Sequence, residues 1–155
     1  MQKSSYDKNQ YPTISEWLLP EVKFAQCPIK TSLGVLGKKW TLLVLRDIGC
    51  LGVDRFNRLL DSITGLTPRV LSMRLRELEK EGFIKCVEKR TQSSPTTVRW
   101  TLTEKGGDVL PILLQFTAFG SKWYSDVVFE DKNPRKPNQL FQPKAMKIMR
   151  NIIDS

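Results

Sequence analysis

The sequence of 155 residues contains no histidine and only three cysteines, and both scarcities limit the catalytic and metal-binding chemistry that the protein can perform. Histidine is the side chain that most often acts as a general acid or base near neutral pH, and it is the commonest metal ligand. Cys27, Cys50 and Cys86 are far apart and form no C-x-x-C pair, which argues against zinc and iron–sulfur sites. Carboxylates and lysines are present, but no recognisable arrangement of them indicates catalysis. We therefore expect a protein that is not an enzyme and that uses no metal and no cofactor.

Long hydrophobic runs are also missing. The apolar run Leu42–Leu45 is far shorter than the roughly 18 residues of a membrane-spanning helix. Residues 1–26 are polar, are interrupted by Pro12 and Pro20, and contain none of the apolar stretch that a signal peptide needs. An odd number of scattered cysteines is typical of a reducing compartment rather than of a disulfide-bonded secreted fold. These features predict a cytoplasmic protein with no membrane partner.

Positive charge is what the sequence has in excess, since 25 lysines and arginines stand against 16 aspartates and glutamates. The excess is uneven: residues 27–102 contain 14 basic and 7 acidic residues, whereas residues 1–26 contain 3 of each. Residues 103–155 contain 8 basic and 6 acidic residues. A basic face that meets a polyanion such as nucleic acid would produce this distribution. A merely basic surface would produce it as well, and net charge alone does not separate the two.

Apolar periodicity and turn residues divide the chain into three parts. Residues 1–26 are predicted to form an N-terminal arm in which Ser15 could cap a short helix, residues 27–128 a folded domain, and residues 129–155 a charged linker followed by an amphipathic helix over 143–153. Within the domain the pattern predicts two helices that meet near Gly37, the second over 38–48, a helix over 56–63 capped by Asp54 or Asn57, a helix over 68–81, a hairpin over 83–102, and one long final helix over 104–128. The fold class is therefore mainly α with a small antiparallel β-hairpin, in the order of a winged helix-turn-helix.

The helix predicted over 68–81 has the clearest boundaries and faces. Thr67 followed by Pro68 is a typical N-cap and first helical position, and Gly82 is well placed to end the helix. Leucines at positions i, i+4 and i+7 define a buried face, and a cationic face lies opposite. A solvated helix face is the alternative. The candidate DNA-reading residues of this helix are Thr67, Pro68, Arg69, Ser72, Met73, Arg76 and Lys80.

Each residue type on this face suits double-stranded DNA. Arg69 or Arg76 could form a bidentate pair with guanine O6 and N7, and Met73 could contact a thymine methyl group. Thr67 and the free amides of the first helical turn suit a phosphate. Two other functions stay open. One is a winged-helix adaptor whose basic face meets an acidic protein, and the other is a protein that binds nucleic acid without sequence preference.

The predicted hairpin has a polar, proline-marked tip with cations on both strands, as a wing that contacts the DNA backbone would have. The alternative is a solvent-exposed hairpin, whose tip would also be polar and whose edges would also carry lysine. The candidate wing contacts are Lys89, Arg90, Ser94, Thr96 and Arg99.

The final predicted helix carries an apolar stripe that a domain of this size cannot cover by itself. An exposed stripe of that size marks an interface, and two-fold self-association is the default. A homodimer would place two reading helices about 34–36 Å apart, in successive major grooves. The alternative is that the helix folds back on its own domain. The predicted dimer-interface residues are Leu110, Leu113, Phe116, Phe119 and Trp123.

Several short motifs occur in order: Cys27-Pro28, L-G-K-K-W at 36–40, R-F-N-R-L at 55–59, L-S-M-R-L-R-E-L-E-K-E-G at 71–82 and L-T-E-K-G at 102–106. Over about residues 27–123 this series resembles the HxlR family of winged-helix transcriptional regulators. The resemblance implies a homodimeric regulator, a repressor, that binds a near-palindromic operator. It implies Thr67 to Arg76 as the reading element, residues 90–99 as the wing, and the N-terminal and final helices as the dimer interface. The chain departs from the family pattern at Arg99, where members usually carry an acidic residue, and beyond about residue 129, which that pattern does not cover.

The resemblance also implies a role for Cys27, since in several proteins of this kind the cysteine before the first core helix senses oxidants or electrophiles. Nearby Lys23 and Lys30 and a helix N-terminus would favour its thiolate. The alternative is that Cys27 is a small buried hydrophobe. Cys50 and Cys86 are expected to be structural. No motif identifies a small-molecule effector.

Overall fold

The computed structural model describes residues 18–19, 21–91 and 94–151, which form nine helices and one β-hairpin. The helices are α1 (Pro28–Leu36), α2 (Thr41–Cys50), α3 (Phe56–Ser62), α4 (Pro68–Lys80), α5 (Glu104–Gly107), α6 (Leu110–Trp123), α7 (Ser125–Val128), α8 (Pro137–Leu140) and α9 (Pro143–Asn151), and the strands are β1 (Ile84–Thr91) and β2 (Ser94–Leu102). This order confirms the predicted fold class, a mainly helical winged helix-turn-helix with a small antiparallel hairpin. The short helix predicted at Ser15 lies outside the described residues.

Helix α2 is the centre of the domain, since it contacts α1, α3, α4, α6 and β2. The core around it is apolar because the helices bury residues that recur at helical spacing. It consists of Leu36, Val44, Leu45, Ile48, Leu59, Ile63, Leu66, Leu71, Leu75, Leu78, Phe83, Ile84 and Val109. One buried carboxylate, that of Asp47, sets the position of α3: it pairs with Arg46 at 2.6 Å and accepts a hydrogen bond from the Ser62 hydroxyl at 2.5 Å.

The boundaries of α4 are those that the sequence predicts. The Thr67 hydroxyl oxygen accepts a hydrogen bond from the Val70 amide at 3.3 Å, which caps the first turn. At the other end Gly82 adopts φ +77°, a left-handed conformation that glycine reaches without steric cost. The Phe83 amide then donates to the Leu78 carbonyl at 2.8 Å, as in a Schellman motif. The chain therefore leaves α4 at a defined angle and enters the hairpin directly.

The hairpin is a two-stranded antiparallel sheet in which Ile84 pairs with Leu102 and Cys86 with Trp100. Its base is held against the helices by close backbone contacts. At Gly106 of α5, an added Cβ would lie 2.0 Å from the Phe83 carbonyl oxygen, so only glycine fits there. The base of the wing is therefore fastened to the domain on the side of α5.

The single final helix predicted over 104–128 is wrong, because the structure divides this segment into α5, α6 and α7. Pro111 causes the first break, since proline has no amide hydrogen to donate and its ring clashes with the carbonyl four residues earlier. The proline is tolerated in the first turn of α6, where no intrahelical acceptor exists. The second break is at Tyr124, whose backbone (φ −124°, ψ 31°) is not helical.

Two helix starts also differ from the prediction. The second helix begins at Thr41 rather than at residue 38, because Trp40 adopts φ +76° and interrupts the helical backbone. Neither Asp54 nor Asn57 caps α3; its N-cap is Arg55, whose side chain makes no capping hydrogen bond. The local sequence offered the Asp54 carboxylate and the Asn57 amide as caps, but in the fold the Asp54 carboxylate accepts a hydrogen bond from Arg99 instead.

The segment after α7 is attached to α6. Ser121 is 1% exposed, and its hydroxyl donates to the Arg135 carbonyl and accepts from the Arg135 amide, each at 3.1 Å. Helix α9 also packs against α6. The charged linker predicted before the amphipathic helix therefore follows the domain surface. The helix predicted over 143–153 is observed as Pro143–Asn151, and the residues after it lie outside the described part.

Within the described ranges, no helix has the length and apolar character needed to cross a membrane.

Candidate nucleic-acid interface

Helix α4 presents the two faces that its sequence predicts. Leu71, Leu75 and Leu78 are almost completely buried. On the opposite side Arg69, Met73, Arg76 and Lys80 are exposed, and Ser72 is half-buried. Because the leucine face anchors α4 in the core, the other face of the helix is available to a ligand. The DNA major groove is wide enough to admit an α-helix.

The charge on this exposed face is not uniform along the helix. Arg69 lies in the first turn, whereas Arg76 and Lys80 share a shallow groove with Glu77 and Glu81. The acidic side chains reduce the positive potential in the C-terminal half of α4. The positive potential of this face is therefore strongest near Arg69.

The first turn of α4 offers one hydroxyl hydrogen to a phosphate. The oxygen of Thr67 is already an acceptor for the Val70 amide, and Pro68 has no amide hydrogen. The capping bond thus uses the Val70 amide, one of the amides expected to bind a phosphate, but the Thr67 hydroxyl can still donate. The helix dipole adds partial positive charge at the same end.

A network of charged residues fixes α4 to the turn between α1 and α2. Arg74 donates from Nη1 to Glu77 Oε2 at 2.9 Å and from Nε to the Lys39 carbonyl at 3.0 Å. Lys38 pairs with the second oxygen of Glu77. The hydrogen bond from Lys38, with the charge of Arg74, holds the pKa of Glu77 below its ordinary value, so this carboxylate is ionised at neutral pH. Arg74 therefore positions the helix and is not part of its exposed cationic face.

Trp40 completes this attachment from the other side. Its ring packs against Gly65 in the turn that precedes α4, and the Lys39 ammonium lies 4.6 Å from the centre of the ring. The α1–α2 turn therefore contacts both the turn before α4 and the middle of that helix. The sequence did not indicate these contacts because the partners are at least 25 positions apart in the chain.

Within the predicted wing the structure describes the strands but only part of the side chains. The side chains of Lys89, Arg90, Ser94 and Thr96 lie outside the described part, and their DNA contacts stay predictions. Arg99 lies at the base of the hairpin, opposite Val87.

Arg99 has a partner within the domain. Its Nη1 donates to Asp54 Oδ2 at 2.9 Å, and the Asp54 carbonyl accepts from the Trp100 amide at 2.8 Å. These two bonds join β2 to the link before α3. Arg99 thus holds the wing at its base, which is a role that the sequence did not suggest, and its predicted phosphate contact would have to compete with Asp54.

Two exposed arginines near the reading helix were not singled out from the sequence. Arg55 is the N-cap of α3 and Arg58 lies on the same helix, while Leu59 of that helix is fully buried. In helix-turn-helix proteins the first helix of the motif crosses the DNA backbone. The signal available in the sequence was the pair of arginines that flank the apolar positions of R-F-N-R-L.

Cys27 is exposed at the N-cap of α1, so the alternative of a buried, packed cysteine does not describe it. Its carbonyl accepts hydrogen bonds from the amide and hydroxyl of Thr31, both at 3.0 Å. Cys50 is exposed at the end of α2, and partial burial of the sulfur raises the pKa of its thiol. A raised pKa lowers the thiolate fraction, which makes Cys50 a poor nucleophile at neutral pH.

The predicted dimer residues on α6 fall into two groups. Leu110 and Leu113 are half-buried, and Leu113 packs against the domain core. Phe116, Phe119 and Trp123 are 57%, 55% and 56% exposed. The alternative, in which the helix folds back on its own domain, therefore accounts for the first two residues and not for the other three.

An apolar groove connects the exposed part of α6 to α1. Ile29 and Leu33 of α1, which are 64% and 55% exposed, form one wall, and Ile112 and Phe116 of α6 form the other. The groove has a volume of about 600 Å³ and extends over Leu43 of α2. An apolar surface of this kind is typical of a protein–protein interface.

Comparison with known proteins gives consistent matches. The family model described as HxlR-like helix-turn-helix matches residues 35–127. An uncharacterized HTH-type transcriptional regulator of Synechocystis sp., sll1512, is 35% identical over 97 residues, which cover 63% of this chain and 70% of that protein. A second one, YdeP of Bacillus subtilis, is 33% identical over 113 residues, which cover 73% and 85%. Among solved structures, the redox regulator HypR in its oxidized form is 33% identical with a TM-score of 0.55, covering 61% of this chain and 94% of that chain.

Proposed function

Since this chain belongs to the HxlR-like helix-turn-helix family of transcriptional regulators, we propose that it is a repressor that binds a near-palindromic operator in double-stranded DNA as a homodimer. The observation that carries the proposal is the exposed cationic face of α4 opposite its buried leucines. Arg69 and Arg76 would read guanine, and Met73 would contact a thymine methyl group.

Phosphate contacts would hold this helix in register. The Thr67 hydroxyl would donate to a phosphate at the start of α4, Ser72 lies on the flank of the helix, and Lys80 lies at the end of its exposed face. Arg55 and Arg58 would contact the strand that α3 crosses. Such contacts position a protein on DNA without reading its sequence. The wing would add further phosphate contacts through Lys89, Arg90, Ser94 and Thr96.

The homodimer would form through the apolar surfaces of α1 and α6. In a two-fold interface the same patch occurs on both sides, so Leu33 and Phe116 of each protomer would be buried together. Two-fold symmetry then places the two copies of α4 one helical turn of DNA apart. The operator would therefore have the same two-fold symmetry as the dimer.

Selection of bound sites from random duplex DNA by the purified protein tests this function. We expect enrichment of an inverted repeat whose half-site centres are about 10 base pairs apart. The logarithm of the affinity should fall linearly with the logarithm of the salt concentration, in proportion to the number of phosphates neutralised. Enrichment of no sequence, with strong binding to all DNA, would favour a nonspecific nucleic-acid-binding protein. Absence of DNA binding would favour the adaptor that meets an acidic protein.

We also propose that Cys27 makes this regulator responsive to oxidants; the similar protein HypR is a redox regulator. The Cys27 thiolate would attack one oxygen of hydrogen peroxide and the O–O bond would break, so that a sulfenic acid and a hydroxide ion form; the hydroxide takes a proton from solvent and becomes water. The sulfur loses two electrons and the peroxide gains them. Two observations support the proposal. Cys27 is exposed, and it precedes helix α1, which lines the apolar groove that the dimer would bury.

Replacing Cys27 with serine tests the redox part separately from DNA binding. Treatment with hydrogen peroxide should weaken operator binding of the parent protein about tenfold or more and leave Cys27→Ser unaffected. Cys50→Ser is the matched control, because Cys50 is also exposed, and this variant should respond like the parent. A Cys27→Ser protein that releases DNA as the parent does would contradict the sensor role. Fluorescence anisotropy of a labelled operator measures the operator affinity of all three proteins before and after treatment.

A further inference from the structure

A second groove adjoins the first along α6 and lies against the tail; the two share Ile112 and Phe116. It has a volume of about 830 Å³, and Ile112, Phe116, Phe119 and Trp123 form its apolar floor. Residues 134–139, which follow the segment matched by the family model, form the facing wall. One wall of the groove is therefore formed by residues that lie outside the segment matched by the family model.

The wall of this groove is held in place by the protein itself. The buried Ser121 hydroxyl exchanges two hydrogen bonds with the Arg135 backbone. The Arg135 guanidinium pairs with Asp131 at 2.5 Å and lies 4.8 Å from the centre of the Phe129 ring. These contacts order the segment before any ligand arrives, which lowers the entropic cost of binding.

The polar groups at this groove carry one sign of charge. Lys122, Arg135 and Lys136 lie at its rim, together with the amide side chains of Gln115 and Gln139. Among the described residues that line the groove there is no aspartate or glutamate. Because Arg135 is paired with Asp131, the cations available to a ligand here are those of Lys122 and Lys136, and an apolar floor beside them fits a molecule that has an apolar body and an anionic group.

The same charges argue against a second copy of the chain as the occupant. A two-fold contact would bring two copies of this cationic patch into one interface, and the described residues that line the groove include no carboxylate to pair with them. The groove between α1 and α6 carries a single lysine, Lys38, among its lining residues. The dimer therefore fits the α1–α6 groove, and the tail groove is left for a different occupant.

We propose that the groove between α6 and residues 134–139 binds a small amphipathic organic acid, with an aromatic or alkyl body on Phe119 and Trp123 and its carboxylate between Lys122 and Lys136. Ile112 and Phe116 line both grooves, so an occupant here contacts side chains that the dimer would also use. The effect of the acid on operator binding rests on the function proposed above. Binding of the acid does not.

Calorimetric titration of the full-length protein without DNA tests the site. The probe is naphthalene-2-carboxylate, and its neutral counterpart is naphthalene-2-carboxamide. We expect the carboxylate to bind about tenfold more tightly than the amide, because a hydrogen bond to a charged group is stronger than one to a neutral group. Lys136→Gln should weaken the carboxylate about tenfold and leave the amide unchanged.

Lys144→Gln is the matched control, because it also removes one exposed lysine of the tail but does not line the groove. It should leave both affinities unchanged. Equal affinity for acid and amide, an equal loss in both lysine variants, or no binding of the carboxylate at millimolar concentration would each overturn the proposal. Binding of the acid by a protein that selects no operator would leave this site intact and contradict the DNA-binding function instead.

Discussion

Replacing Phe116 with aspartate is expected to convert the proposed homodimer into monomers. Phe116 is 57% exposed in the single chain and lies where the apolar surface of α6 meets that of α1. Removal of a central aromatic contact costs about 2 kcal/mol or more at an interface. Two-fold symmetry doubles this cost, and about 4 kcal/mol raises the dimer dissociation constant about a thousandfold.

Sedimentation velocity over a range of protein concentrations measures the effect. Val127→Asp is the matched control, since Val127 is 81% exposed but lines neither groove. It should leave the dimer intact. Leu33→Asp, on the α1 wall, should act as Phe116→Asp does. If Phe116→Asp and Leu33→Asp both sediment as the parent does, the dimer does not use this surface.

Loss of the dimer should also lower operator affinity, because each protomer holds only one half-site. We expect Phe116→Asp to bind the selected operator at least about a hundredfold more weakly, while its circular dichroism spectrum stays that of the folded chain. An isolated half-site should be bound equally by the parent and the variant. That comparison separates dissociation of the dimer from damage to α4.

Replacing Arg76 with alanine is expected to abolish most of the preference for the operator. A bidentate pair between arginine and guanine contributes about 1–3 kcal/mol, and the dimer makes it at both half-sites. A loss of about 1.4 kcal/mol at each half-site weakens operator binding about a hundredfold in total. Affinity for random DNA should fall far less, because phosphate contacts supply it.

Two comparison variants make this prediction specific. Arg58→Ala should weaken binding to operator and to random DNA by the same factor and should reduce the slope of affinity against salt, since Arg58 would contact phosphate. Lys144→Ala removes the same charge from the tail and should change neither affinity. Unchanged operator affinity of both Arg69→Ala and Arg76→Ala would show that the exposed face of α4 does not read DNA.

The residues of α4 show which parts of the site are predictable from sequence. Thr67 caps the helix, Gly82 ends it, and Leu71 and Leu75 face the core, as predicted. Caps and faces depend on residues within about four positions of one another, so their physics is contained in a short stretch of sequence. The exposure of Arg76 follows from the same periodicity.

Arg99 shows which parts are not predictable. Its residue type and its place in a basic hairpin indicated a phosphate contact, but its guanidinium pairs with Asp54, 45 positions away. Arg74 likewise bonds to the Lys39 carbonyl 35 positions away. Whether a charged side chain faces solvent or a partner depends on which distant segments the fold brings together.

The sequence by itself determined the order of the elements as far as the hairpin, the two faces of α4 and the apolar character of α6, because each of these follows from local periodicity and from residues with restricted backbone conformations. Only the tertiary structure decided that Arg99 secures the wing, that Ser121 binds the tail to α6, and that two grooves of different charge adjoin each other along that helix. These features depend on contacts between residues remote in the chain, and such contacts exist only after the core has placed the helices relative to one another.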